Sequence, residues 1–147
     1  MQSQASDESD DVTTSIALAQ AKTDPQGAAA WLDSLPAEID TSKSITPFVQ
    51  KWIESDAAGA ARWVESQPAG ARRDAALKAY ALAATELDPA AAGEWAAGIA
   101  DPKVREKTAE YVFQEMNRSD PAAARAWLRT LPGADAAWSE RLIRLTR

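Results

Sequence analysis

The chain is expected to be all-α, a right-handed α-solenoid of about four 32-residue helix-hairpin repeats, and three observations lead there. Trp31, Trp63, Trp95 and Trp127 stand 32 residues apart with no slippage. Seven residues before each stands an aspartate: Asp24, Asp56, Asp88 and Asp120. Around them the apolar residues recur at helical spacing, and no window alternates as a strand or carries a hairpin turn. A fixed period of roughly 20–50 residues marks an architecture in which each small unit buries its apolar face only by stacking on its neighbour.

The elements follow in order. Residues 1–10, MQSQASDESD, offer almost nothing to bury and read as a disordered acidic leader. A single helical-repeat domain is expected over 11–147, with units 24–55, 56–87, 88–119 and 120–147. From Asp11 to Lys22, apolar Val12, Ile16 and Ala19 suggest a weakly amphipathic helix, the outer half of a leading repeat. Further helices are placed near 25–35, 42–54, 57–67, 71–86, 89–99, 103–118, 121–131 and 134–145.

Each unit opens on its aspartate as N-cap, followed in three units by Pro25, Pro89 or Pro121 at the first helical position. A carboxylate there accepts from free backbone N–H groups, and proline lacks the N–H that would go unpaired. The repeated aspartates are therefore caps rather than a row of catalytic carboxylates. The first helices carry the stripes Ala28, Trp31, Leu32, Leu35; Ala60, Trp63, Val64; Ala92, Trp95, Ala96, Ile99; and Ala124, Trp127, Leu128, Leu131. Gln67 stands where Leu or Ile would continue the pattern, so the second unit is expected to end its first helix wet. Pro36, Pro68 and Pro132 close these helices, while the third ends at Ala100-Asp101-Pro102.

The second helices bury Ile45, Phe48, Val49, Trp52; Leu77, Tyr80, Ala81, Ala84; and Ala109, Val112, Phe113, Met116. The last, with Ala137, Trp138, Leu142 and Leu145, is shifted by about one residue, as terminal repeats are. Pro47 should kink its helix or delay its start to near Thr46.

Composition narrows the function. Net charge of −6 over 147 residues argues against general binding of nucleic acid or anionic membrane, which needs a positive field. The charge is uneven: residues 1–60 carry −7 and residues 61–147 carry +1. Cysteine and histidine are both absent, which removes the thiol nucleophile, the commonest metal ligand and the commonest base near neutral pH. No phosphate-cradling glycine loop, nucleophile elbow or membrane-spanning run occurs. The expectation is a chain with no enzymatic activity, no cofactor, no metal and no membrane insertion.

The string D-P-x-A-A-A-x-W-L-x-x-L-P, read over about residues 24–145, resembles the Trp-centred tandem helical repeats of uncharacterised bacterial proteins. The unit is also similar to tetratricopeptide and HEAT-type helix pairs, although its period and tryptophan position match neither consensus. The resemblance implies a scaffold binding a protein or peptide on a concave face, and it leans towards export to the periplasm over the cytoplasm. Two alternatives stand beside it. One is a self-assembling module in which the basic end (Arg125, Arg129, Arg141, Arg144, Arg147) meets the acidic front of another copy of an otherwise monomeric chain. The other is a helical accessory domain of a larger bacterial enzyme.

The tryptophans at the centre of each stripe read as core mortar rather than an aromatic ligand groove. Glu106 and Glu110 share a turn with Arg105 and Lys107 and read as a mixed solvated face. Asp74–Lys78 and Glu140–Arg144 have the order that supports a helix surface. In a repeat array the structural positions recur and the partner-reading positions vary. Lys107, Tyr111, Gln114 and Arg118 fall off the buried stripe; their counterparts are Lys43, Pro47, Gln50 and Glu54 in one unit and Ala75, Ala79, Leu82 and Glu86 in another. Lys107, Tyr111, Gln114, Arg118, Lys43 and Gln50 are thus the candidate partner-binding residues, with Tyr111 the aromatic anchor.

Overall fold

The computed structural model describes residues 2–36, 39–131 and 133–146, with side chains from Glu8 onward. Every regular element among the described residues is an α-helix. The chain falls into two compact units, Met1–Tyr80 and Ala81–Arg147. Their boundary lies inside a helix, and inside the repeat expected over 56–87, rather than between repeats.

The first unit holds α1 (Gln2–Ala21), α2 (Pro25–Ser34), α3 (Ser42–Ser66) and the opening of α4 (Ala71–Ala84). The helix expected from Asp11 begins at Gln2, so residues 2–10, read above as a disordered leader, are helical; Met1 lies outside the described residues. Side chains help to hold this polar stretch. Thr13, Thr14 and Ser15 each donate a hydroxyl to the carbonyl one turn back, at 2.8–2.9 Å. Thr14 also pairs with Ser44 of α3 at 2.8 Å, and Asp10 with Lys43 at 3.3 Å.

The face of α1 that packs is a correction to the sequence reading. Ala17 and Ala21 are buried, whereas Val12 and Ile16 are 57% and 44% exposed and Ala19 is exposed too. Small side chains let α1 lie close to α3, and the hydroxyl and ion-pair contacts select that face over the apolar one.

Asp24 caps α2 through Gly27 N at 2.9 Å, with Pro25 in the first turn. The helix ends where Leu35 turns extended ahead of Pro36. In α3 two expected helices run on as one element with a break at Asp56 (φ −154°, ψ 82°), whose carboxylate caps the second arm through Gly59 N at 2.9 Å. The first arm starts at Ser42, ahead of Pro47, so the late start near Thr46 does not occur. Phe48, Trp52 and Trp63 form the aromatic centre of this unit. Phe48 meets Trp63 edge-on at 5.5 Å and Trp52 at 5.5 Å, and the two indoles lie 6.1 Å apart. Leu32, Ile45, Val49, Ala60 and Val64 close around them, each with no exposed surface.

The second unit holds α5 (Pro89–Ala97), α6 (Pro102–Ser119), α7 (Pro121–Thr130) and α8 (Ala136–Leu145). Asp88, Asp101, Asp120 and Asp135 each accept from backbone N–H groups at the start of the helix that follows. Val112, Phe113, Met116, Ala124, Leu128, Trp138 and Leu142 are the heart of its core. Leu145, expected in the last stripe, is 76% exposed. Pro132 and Arg147 lie outside the described residues.

The tryptophan ladder is core only in part. Trp63 is buried at 8% exposure, but Trp31, Trp95 and Trp127 are half-buried. Trp95 and Trp127 lean against the edge of the second unit's core rather than filling it. Gly93 makes room for one of them, since a Cβ there would stand 2.6 Å from Trp127 Nε1. The fully interior indoles beside Trp63 are Trp52 and Trp138, which lie off the 32-residue register.

Candidate functional site

The candidate residues between Lys107 and Arg118 are set by the way α6 is built. Asp101 accepts from Lys103 N and Val104 N at 2.9 and 3.2 Å, and Pro102 occupies the first turn. Thr108, Ala109, Val112, Phe113 and Met116 turn inward, and Thr108 satisfies its buried hydroxyl on Val104 O at 2.7 Å. That orientation puts Lys107, Tyr111, Gln114 and Arg118 together on one exposed stripe of α6. Tyr111 is 39% exposed in the middle of it. Arg118 holds Glu115 at 3.2 Å while its own side chain remains 77% exposed. A phenol ring between a lysine, an amide and an arginine gives an apolar contact surface rimmed by hydrogen-bond donors.

The other candidates do not make a matching surface. Lys43 is engaged with Asp10, whose side chain is 15% exposed, and so ties α1 to α3. Gln50 is exposed on the same helix, beyond a half-buried Pro47. In α4, Ala79 is buried and Ala75 and Leu82 half-buried, so no polar stripe opens at those positions.

Several polar groups expected at a wet or solvated surface prove to hold helices together. Gln67 is buried, at 4% exposure: its Nε2 donates to Asp33 Oδ1 at 3.2 Å, and Trp63 Nε1 donates to Asp33 Oδ2 at 3.1 Å. One exposed carboxylate therefore satisfies two buried donors. Glu110 accepts from Trp138 Nε1 at 3.3 Å, and Glu106 lies 3.8 Å from Arg141, so these acids join α6 to α8 instead of forming a merely solvated face. Asp74, expected at a helix surface, is 6% exposed. Arg73 donates to Gln67 O and Arg105 to Ile99 O, each at 2.9 Å. These arginines are 32 residues apart, and so are the carbonyls they reach, a periodic signal that lay open in the sequence.

Two depressions open on the first unit. One, of about 360 Å³, runs between α2 and the second arm of α3, with Ala29, Trp52 and Trp63 below and Asp33 and Arg62 on its walls. The Trp52 Nε1–H is buried and has no acceptor among the described residues. The other, of about 700 Å³, lies at the helix ends around Asp40, Ser42, Gln67 and Arg72. There Asp40 is held below the ordinary carboxylate range, first by the Ser42 hydroxyl at 2.5 Å and then by the Ser42 N–H at 2.9 Å. Arg72 donates to Leu32 O at 3.2 Å.

Among the described residues no group of three acids is placed to hold a metal ion, and no helix is long and apolar enough to cross a membrane. The aspartates that recur through the sequence spend their lone pairs on helix N-termini. Set against known protein families, characterised proteins and solved structures, the chain matches none.

Proposed function

We propose that this chain is a non-enzymatic helical-repeat scaffold that binds a protein or peptide, with the exposed stripe of α6 as its reading surface. The observation that carries the reading is Tyr111, 39% exposed among Lys107, Gln114 and Arg118 on a helix whose opposite side is fully packed. Aromatic and arginine side chains in one patch are the composition that supplies anchor residues at protein interfaces. The 32-residue period, with a capped helix opening each unit, supports the finer architecture proposed with it: helix hairpins repeating as a right-handed solenoid, its concave face open to the partner.

The absence of histidine and cysteine supports the non-enzymatic reading, as does the engagement of the acids as caps and helix ties. The test places a photo-activated cross-linker at position 111 of the full chain and maps what it captures from the native cell. A single protein cross-linked along Lys107–Arg118, and lost when Lys107→Glu is added with helical circular dichroism unchanged, is the expected result. Capture centred elsewhere, or unaffected by Lys107→Glu, overturns the assignment of this surface. Scattering from the protein in solution tests the architecture, because a solenoid of this length is longer than a globule of equal mass.

A further inference from the structure

The exposed stripe of α1 points to a partner of its own. Val12 and Ile16 are one helical turn apart and 57% and 44% exposed, with Ala19 exposed a turn further on and Glu8 a turn before. At about 100° per residue these four fall within one quadrant of the helix, opposite Asp10, Thr14, Ala17 and Ala21, which face the rest of the unit. Among the described residues the other exposed large apolar side chains, Leu87 and Leu145, each stand alone near a helix end, and Tyr111 is ringed by polar groups. So α1 carries a second apolar stripe that its own fold leaves open.

The charges along the stripe say what fits it. Acids lie at its beginning, Glu8 with Asp11 on one flank, and Lys22, exposed, lies just past its end on that same flank. A parallel neighbour of the same kind would set acid against acid. An antiparallel one, related by a two-fold axis near Ser15, sets Glu8 opposite Lys22 at both ends, since each is seven residues from the axis. A two-fold axis across the stripe keeps each flank on its own side, so Asp11 also faces the lysine. The basic end of the chain matches this surface less well, because the outer face of α8 shows Glu140, Arg141 and Arg144 around Ala137, with Leu145 exposed only at the end of the helix.

We propose that α1 pairs antiparallel with α1 of a second copy of this chain, through Val12, Ile16 and Ala19, closed at each end by a Glu8–Lys22 ion pair between copies. The contact is isologous, the arrangement that closes at two copies. Three modest side chains per copy bury far less than the roughly 1,200 Å² of a stable interface, so the dimer is weak and forms only at high concentration.

Sedimentation of the full chain from about 10 µM to about 1 mM spans the range in which a weak pair forms. The mass should rise towards a dimer and stop there. Ile16→Glu should leave a monomer throughout. Glu8→Lys and Lys22→Glu should each weaken association severalfold, and the two together in one chain should restore it, because the swapped charges again face one another. All of these positions are exposed, and unchanged helical circular dichroism certifies the fold. A monomer at every concentration, assembly beyond a dimer, indifference to Ile16→Glu, or failure of the double swap to restore pairing would each overturn the proposal. Substitutions at Tyr111 leave this readout untouched, so it stands or falls apart from the α6 surface.

Discussion

Asp33 shows how a side chain that looks ornamental can matter to a fold. It is exposed, yet its two oxygens accept from Trp63 Nε1 and Gln67 Nε2, on residues that are 8% and 4% exposed. A buried donor left without an acceptor costs about 1–3 kcal/mol. Asp33→Ala strands two, though water entering from the exposed side recovers part, so a loss of about 2 kcal/mol in urea unfolding is expected. A change under about 0.5 kcal/mol, the ordinary surface value, would show that the network contributes nothing. Trp52 makes the contrast, because its N–H has no acceptor among the described residues. Trp52→Phe should therefore cost less than Trp63→Phe, which also takes a donor from Asp33. Nearby, Asp40 titrates below the ordinary carboxylate value of 3.8, chiefly through the Ser42 hydroxyl. A depressed folded-state value means that the stabilisation is present above the unfolded-state pKa and is lost as pH falls through the folded one. Carbon NMR should place the Asp40 midpoint below 3.8, and Ser42→Ala should raise it; an unmoved midpoint would remove the hydroxyl as its cause.

Between helices, the contact most open to test is that of α5 with α7. Alanine favours a helix over glycine by about 1 kcal/mol, so Gly93→Ala should stabilise α5 in isolation. In the folded unit its Cβ would stand 2.6 Å from Trp127 Nε1, and the ring must move. Overpacking of this kind costs about 1–3 kcal/mol and outweighs propensity. The expected result is a destabilised Gly93→Ala protein that becomes the more stable one once Trp127→Leu clears the space. The cycle fails if Gly93→Ala stabilises the wild-type background. Helix placement was legible because caps and prolines are local: Asp24, Asp88 and Asp120 announce their helices whatever lies nearby. Packing partners were not legible. Gln67 reads as a wet helix end until Asp33 is seen beside it, and the 32-residue recurrence of Arg73 and Arg105 names no acceptor, because the groups they reach are backbone carbonyls that every residue carries. Tyr111 and its neighbours were legible as an exposed stripe because α6 has one strong buried face to set them against.

Across the molecule, order is expected to be uneven, and α1 is where sequence and structure part most. Its residues are poor in apolar side chains, so hydropathy assigns the first ten to a leader, while the helix starts at Gln2. What the sequence could not reveal is that anchorage comes from polar groups: Lys43 on Asp10 and Ser44 on Thr14. The two available stripes of α1 were equally weak as patterns, and contacts distant in sequence chose between them. Such anchorage protects the backbone only where it acts. Hydrogen exchange should be slowest in the packed centres, around Phe48 and Val49 in one unit and Val112 and Phe113 in the other, where exposed surface is nil. Along α1, protection should be strongest around Asp10 to Thr14, where the contacts to Lys43 and Ser44 lie, because so polar a helix is marginal on its own. Lys43→Ala removes an ion pair whose lysine side chain is 63% exposed, so little global stability goes with it. Its effect should instead be local, with faster exchange over residues 10–14 and none in α6. Uniformly slow exchange from the start of α1 in wild type and variant alike would mean that something other than these polar contacts holds the helix, and the assignment of its packed face would have to be revisited.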